Sequence, residues 1–263
     1  MKNTPLKQAI LRAPDNQKRA ALALALVTIL LLVGAIIAIV LVSTGRLRPT
    51  PTNRLQSDYL KMQDSETAAV RQAKAAGRNV NTDTSVIQAR VGLVLLQIQA
   101  GDMSSAARSA KSLAQGAPQS AEAQYAYATV LAAQGNINES LTRYRTALRL
   151  VKATDSDLKR DILTGYADAL VAAQKPAEAY TNLKQAAALP PASADLYVRA
   201  ATLALQQKNY QDAATMYLLA QSYDPTNATV TAGLRQLQRA HPAAVKTAQQ
   251  QLQEQQQKQD SNE

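Results

Sequence analysis

A chain of 263 residues with 29 Lys and Arg, 19 Asp and Glu, one His and no Cys, Trp or Phe allows one or two domains. Without cysteine there is no disulfide framework, zinc finger or thiol nucleophile, and a single histidine cannot supply a multi-histidine metal site. The formal charge of +10 invites a nucleic-acid reading, but the head to Arg19 holds +4 and residues 43–84 hold +3, so most of it flanks one apolar run and no nucleic-acid partner is expected.

That run, from Ala20 to Val42, carries no charge. At about 1.5 Å per residue it can cross a hydrocarbon core of about 30 Å, which predicts a single transmembrane helix over 20–42 in contact with membrane lipid. A cleaved signal peptide is the rival reading, although the apolar region of such peptides is shorter, about 7–15 residues. No cysteine follows the run, so a lipoprotein anchor is excluded. Lys2, Lys7, Arg12, Lys18 and Arg19 precede it, and Arg46, Arg48, Arg54 and Lys61 follow. Positive charge gathers on the cytoplasmic side, which favours a basic cytoplasmic head over 1–19 in a cytoplasmic (inner) membrane, with the rest periplasmic or extracellular. The absence of cysteine suits either compartment.

Residues 43–84 read as a stalk containing Arg46, Arg48, Pro49 and Pro51, then a polar helix over 53–76. Its apolar stripe is Leu60, Ala68, Ala69 and Ala73, and a breaker over 77–84 ends it. From residue 85 the chain is a run of Ala- and Leu-rich helical stretches with short polar turns and no strand-like alternation, which makes it all-α.

Three series of residues share one spacing. The turn residue Gly101 recurs as Gly135, Gln174 and Lys208, at offsets of 34, 39 and 34. Ala106, Ser140, Ala179 and Ala213 follow the same offsets, as do Leu113, Ala147, Ala186 and Ala220. Pro118, Pro191 and Pro225 close three units, while the second has Lys152 there and a short insertion before the next. The stretches Tyr125-Ala126-Tyr127-Ala128 through Gly135 to Tyr144 and Ala147, and Tyr197 through Asn209-Tyr210 to Tyr217, Ala220 and Pro225, resemble the tetratricopeptide repeat family, whose unit is a helix–turn–helix of about 34 residues. The units are 87–120, 121–154, 160–193 and 194–227, spanning 85–227 as an α-solenoid. A capping helix follows over 228–240, then a Gln-rich tail over 241–263, expected to be a frayed helix or unstructured.

Antiparallel helices approach closely only where small side chains meet, which assigns Ala128, Ala167 and Ala201 to the first helices and Ala106, Ser140, Ala179 and Ala213 to the second. Tyr127, Tyr144, Leu163, Tyr166, Tyr197 and Tyr217 are expected in the core. Asp102, Asn136 and Asn209 are placed to cap second helices, and Pro176 fits a first turn. The sequence departs from the family pattern where a tryptophan is frequent, with Arg90, Gln124, Leu163 and Tyr197 there instead, and Val94 and Leu113 stand where small residues are expected.

Little in the chain suggests chemistry. His241 reads as a surface residue, no Gly-rich phosphate loop occurs, and Asp155, Asp157 and Asp161 read as the start of a helix rather than a metal or acid–base cluster. Asn138 and Asn227 sit in glycosylation patterns but read as helix starts. No enzyme activity, cofactor or metal is expected. The resemblance implies a concave groove lined by the first helices, with Val91, Leu95, Glu122, Tyr125, Thr129, Thr164, Asp168, Val198, Arg199 and Thr202 as candidate partner-binding residues beside Gln88, Asp161 and Asp195. Where chaperone-tail-binding members carry Lys and Asn, this chain has Val91, Leu95, Ala126 and Asp161, so a carboxylate clamp is not expected. The overall expectation is a membrane-anchored scaffold or assembly factor that grips a protein or peptide outside the cytoplasm. A cytosol-facing tethered adaptor or co-chaperone is the alternative, and an enzyme using the Asp155–Asp168 carboxylates is a third reading that needs a deep pocket. A homo-oligomer through the membrane helix or the Gln-rich tail stays open, but Gly34 makes no GxxxG pair, so a close-packed helix dimer is unsupported.

Overall fold

The computed structural model describes residues 53–261, which form α1 (Asn53–Ala75), α2 (Thr84–Gln99), α3 (Met103–Gly116), α4 (Ala121–Ala133), α5 (Ile137–Leu150), α6 (Ser156–Ala172), α7 (Pro176–Ala188), α8 (Ala194–Gln206), α9 (Tyr210–Tyr223), α10 (Ala228–Ala240) and α11 (Pro242–Asp260), with no strand among them. The membrane helix expected over 20–42, the head and the first part of the stalk lie outside the described residues. No helix among the described residues is long and apolar enough to cross a membrane.

The repeat is written in its turns. Gly101, Gly135, Gln174 and Lys208 all take left-handed φ values, of 74°, 79°, 59° and 59°. Each is followed by the same pair of bonds: Gly135 N–H donates to Ala132 O at 3.0 Å and Asn136 N–H to Leu131 O at 2.8 Å, and Lys208 and Asn209 do likewise to Leu205 O and Ala204 O, both at 2.9 Å. This arrangement satisfies the last carbonyls of a helix and reverses the chain. A Cβ at Gly101 or Gly135 meets nothing within 4 Å, so its cost is purely conformational. Gly135→Ala is expected to lower stability by ~1 kcal/mol and Lys208→Gly to raise it by a few tenths, read from denaturation midpoints.

Between the turns, the small-residue series closes each helix pair. Ala106, Ser140, Ala179 and Ala213 are wholly buried, as are Ala128, Ala167 and Ala201. In the second unit Ser140 Oγ donates to Ala128 O at 3.0 Å, so its hydroxyl spans the contact. Asp102, Asp155, Asn209 and Asn227 accept backbone N–H groups at helix starts. Asn136 stands at the start of α5 without a side-chain cap bond, and Asn138 lies inside that helix. Of the expected core tyrosines, Tyr144, Tyr197 and Tyr217 are buried. Tyr127 and Tyr166 are only half-buried; Tyr127 lies under the Arg143 guanidinium, 5.1 Å from its ring centre.

A further periodic position joins successive units. Gly92, Ala126, Gly165, Arg199 and Gly233 recur at the same offsets as the turns, and the glycines among them each admit a side chain from the helix before. A Cβ on Gly165 would stand 2.6 Å from Tyr144 Oη, one on Gly233 2.6 Å from Tyr217 Cζ, and one on Gly92 2.7 Å from Met62 Cε. Met62 belongs to α1, so α1 covers α2 on the side that a preceding repeat's second helix would take. Glu66 of α1 binds Arg90 Nε at 2.9 Å. Of the stripe expected on α1, Ala69 and Ala73 are buried against Val86, but Leu60 and Ala68 face solvent. The contact face is turned toward Met62 because Gly92 is where α2 can be approached.

At the far end the Gln-rich tail takes the helical of its two expected forms. Its first turns pack on α9 through Val245 (2% exposed) and Ala248 (0%), with Gln211 Nε2 donating to Gln251 Oε1 at 3.0 Å. His241 is not a bare surface residue, because its ring stacks on Tyr210 with centroids 3.5 Å apart and planes 13° apart.

Candidate functional site

First helices of the early units touch one another, α2 against α4 and α4 against α6, and their facing sides carry most of the candidate residues. Most of the candidates fall into three groups. Tyr125 and Thr129 of α4 and Asp161, Thr164 and Asp168 of α6 line one cleft of about 350 Å³ together with Ala132, Tyr144 and Gly165. Glu122 and Gln88 line a larger cleft of about 540 Å³ where α2, α4 and α6 begin, walled by Ile87, Pro118, Leu150, Val151 and Leu158. Val198, Arg199 and Thr202 sit on α8, beyond either cleft. Val91 is half-buried and packs against the core of the first two units rather than standing free, and Leu95 is half-buried on α2 without lining either cleft.

The cleft between α4 and α6 has an aromatic floor and a carboxylate wall. The Tyr144 ring lies 6.3 Å from that of Tyr125 and 6.1 Å from that of Tyr166. Thr129 Oγ1 donates to Tyr125 O at 3.0 Å and lies 3.2 Å from Tyr144 Oη. Burial pushes the Tyr144 phenol up to about 12. It also raises Tyr125, where the Asp161 charge adds to the effect. The Asp161 carboxyl is itself raised, first by burial, against the pull of Arg160 and with the fields of Asp157 and Asp155. Partial burial disfavours the charged form of a carboxylate, and like charges nearby add to that effect.

Asp168 is compensated: Arg199 Nη2 reaches across from α8 to its Oδ1. Glu122 accepts from Ser120 Oγ at 2.6 Å in the first turn of α4. Of the three aspartates considered as a cluster, Asp155 caps α6 through Leu158 N–H, Asp157 pairs with Arg160 at 2.7 Å, and Asp161 alone faces the cleft.

Tyr144 and Gly165 stand outside the groove candidates, because attention to which residues of first helices face inward passes over a second-helix side chain that shows through between them. Their signal in the sequence is the pairing of a mid-helix glycine with a tyrosine of the helix before, since glycine is a weak choice inside a helix unless something approaches it closely.

No protein-family model matches the chain, and no curated protein matches it. Solved structures do. The chain is similar to YrrB, described as a TPR protein with an unusual peptide-binding site, at 15% identity and TM-score 0.51, over 70% of this chain and 87% of that one. It is also similar to BtubC (BKLC) from P. vanneervenii, at 15% identity and TM-score 0.55, over 76% of this chain and 91% of that one. Yeast Tom70 matches at 19% identity and TM-score 0.50, over 74% of this chain and 42% of that one. These likenesses, with the four-fold turn series, show the fold to be that of a tetratricopeptide-repeat solenoid.

Proposed function

We propose, from a tetratricopeptide-type solenoid whose first helices enclose an aromatic and acidic cleft, that this chain is a non-catalytic scaffold that holds a segment of a partner protein along that face. The observation carrying the reading is the cleft between α4 and α6, where two helices from different units bring Tyr125, Thr129, Thr164 and Asp168 around one space of about 350 Å³. Concave, largely preformed space with a few placed polar groups is what a side chain of an extended ligand requires. YrrB, of similar fold, is described as a TPR protein with an unusual peptide-binding site, which supports a peptide-binding role for the fold.

The uncharged run over 20–42 and the basic residues before it support an anchor in a cytoplasmic membrane, with the repeats outside the cytoplasm in an assembly or secretion role. A scaffold of this kind needs no cofactor; its partners are a protein segment and, through 20–42, membrane lipid. Capture of membrane proteins by the full-length chain, compared with the Tyr125→Ala/Thr164→Ala variant, is the test of the groove. Loss of about tenfold or more of the captured partner is expected, as for truncating central contact residues. Equal capture rejects the groove. Protease added to spheroplasts tests the topology: digestion of the repeats is expected, and protection indicates the cytosol-facing adaptor.

A further inference from the structure

We propose that the cleft between α4 and α6 selects a lysine or arginine side chain of the bound segment, with its cation on Asp161 and its apolar stem along the Tyr125 ring. This rests on the groove reading above and adds the chemistry of the partner.

Asp161 and Asp168 are two helical turns apart on α6, about 10 Å along its axis, and both line the cleft. Their situations differ. Asp168 already holds a guanidinium, that of Arg199 from the next first helix, so this face accepts that group within the chain itself. Asp161 forms no ion pair among the described residues. Its neighbour Arg160 is turned away, its Nη1 on Asp157 at 2.7 Å and its Nη2 on Leu189 O and Pro191 O, both at 2.9 Å. Thr129 Oγ1 is occupied by Tyr125 O and Tyr144 Oη, so the Asp161 carboxylate is the strong polar group the cleft leaves for a ligand.

The alternatives are disfavoured by charge and solvation. An acidic side chain here would face Asp161 directly. An apolar one would strip water from a carboxylate and return nothing, a penalty that a buried charge escapes only by pairing. A lysine or arginine meets both walls, since its methylene stem packs on an aromatic ring while its head stays with the carboxylate. The charge pattern is also local: the candidate groove positions carry Glu122, Asp161, Asp168 and Asp195 against Arg199 alone, in a chain whose formal charge is +10. A basic segment is therefore favoured at the groove.

The test uses the full-length chain in detergent micelles and a positional-scanning library of nonapeptides, reading which residue is retained at the central position. Lys and Arg are expected to be retained over norleucine and Glu by about fivefold, the scale of a partly exposed ion pair, and less so in high salt. Asp161→Asn should abolish the preference, and Asp161→Lys should shift it toward Glu, both with unchanged melting curves. Basic preference that is absent, or that survives in Asp161→Asn, overturns the inference. If peptides without a basic preference are retained by the native chain but lost by Tyr125→Ala, the groove reading stands while the cation site falls. Retention of no peptide overturns both.

Discussion

Tyr144→Ala is expected to cost ~3–5 kcal/mol, the range for deleting a large buried aromatic side chain, and to be the most damaging single truncation in the repeats. Tyr144 is 2% exposed, lies within about one ring width of both Tyr125 and Tyr166, and reaches over Gly165 of the next unit. Its removal opens a void at the junction of α4, α5 and α6 and takes away the floor of the cleft. The complementary change, Gly165→Ala, adds one carbon where none fits: Oη, Cζ and Cε1 of Tyr144 would lie at 2.6, 2.9 and 3.0 Å. Overpacking of this kind costs ~1–3 kcal/mol, and the helix gains back only ~0.5–1 kcal/mol from replacing glycine. A net loss of up to ~2.5 kcal/mol follows from the difference. Removing the hydroxyl with Tyr144→Phe should relieve part of the Gly165→Ala penalty, because the nearest atom goes while the ring carbons stay. Gly116→Ala is the control, with its nearest atoms at 3.7 Å on Asn81. Urea denaturation of these variants, singly and combined, measures all of this. A Gly165→Ala protein as stable as the parent would mean that Tyr144 can swing aside, and the glycine–tyrosine contact would lose its role in setting the repeat spacing.

The repeat itself is legible in the sequence because turns and small-residue contacts recur in one dimension. Gly101, Gly135, Gln174 and Lys208 are identifiable as turns without their left-handed φ values, since the residues around them recur at the same offsets even where glycine does not. Small residues at Ala106, Ser140, Ala179 and Ala213 are legible for a similar reason: a close helix crossing leaves no room for anything else. What faces a neighbouring unit is harder to read. Arg90 and Gln124 stand where a tryptophan is frequent, and nothing local says that Arg90 meets Glu66 of α1 or that Gln124 Nε2 donates to Pro118 O at 3.2 Å. The same holds for both ends of the solenoid. α1 and α11 are polar by composition, with thin apolar stripes, yet each has a partner helix that ends the stack and gives that stripe something to cover. Composition undervalues such helices because polar side chains dominate their averages.

The candidate site is legible residue by residue but not as a grouping. Tyr125, Thr129, Thr164 and Asp168 follow from the expectation that first helices face inward, and they do share a cleft. Arg199 stands out as the lone base, but its capture by Asp168 depends on the angle between α6 and α8, which no spacing in the chain encodes. The division of Asp155, Asp157 and Asp161 into a cap, an ion pair and a cleft wall likewise depends on where α6 begins.

That beginning is the basis of the last large effect, which belongs to Arg160. The insertion before the third unit becomes an added first turn, so that α6 runs from Ser156 and has 17 residues where α4 and α8 have 13. At this turn Arg160, 18% exposed, donates from Nη2 to Leu189 O and Pro191 O, the segment that joins α7 to α8. A guanidinium presents its donors in a fixed planar fork, so one side chain can hold two carbonyls and Asp157 together. Arg160→Ala is therefore expected to cost ~2–3 kcal/mol, less than two full charge-assisted bonds because the carbonyls regain some water. Arg160→Lys should recover little of it, since an ammonium cannot reproduce the fork. Asp157→Ala should change stability by less than ~0.5 kcal/mol, because that carboxylate is 82% exposed. Hydrogen exchange localises the effect: amides in the first turn of α8 should lose protection in Arg160→Ala while those of α4 keep theirs. Since α8 carries Val198, Arg199 and Thr202, this loosening should also free Arg199 from Asp168 and leave a second carboxylate uncompensated beside Asp161 in the cleft. Equal protection of α8 in Arg160→Ala and Asp157→Ala would show instead that helix packing alone fixes α8, and that the inserted turn lengthens α6 without tying it to the next unit.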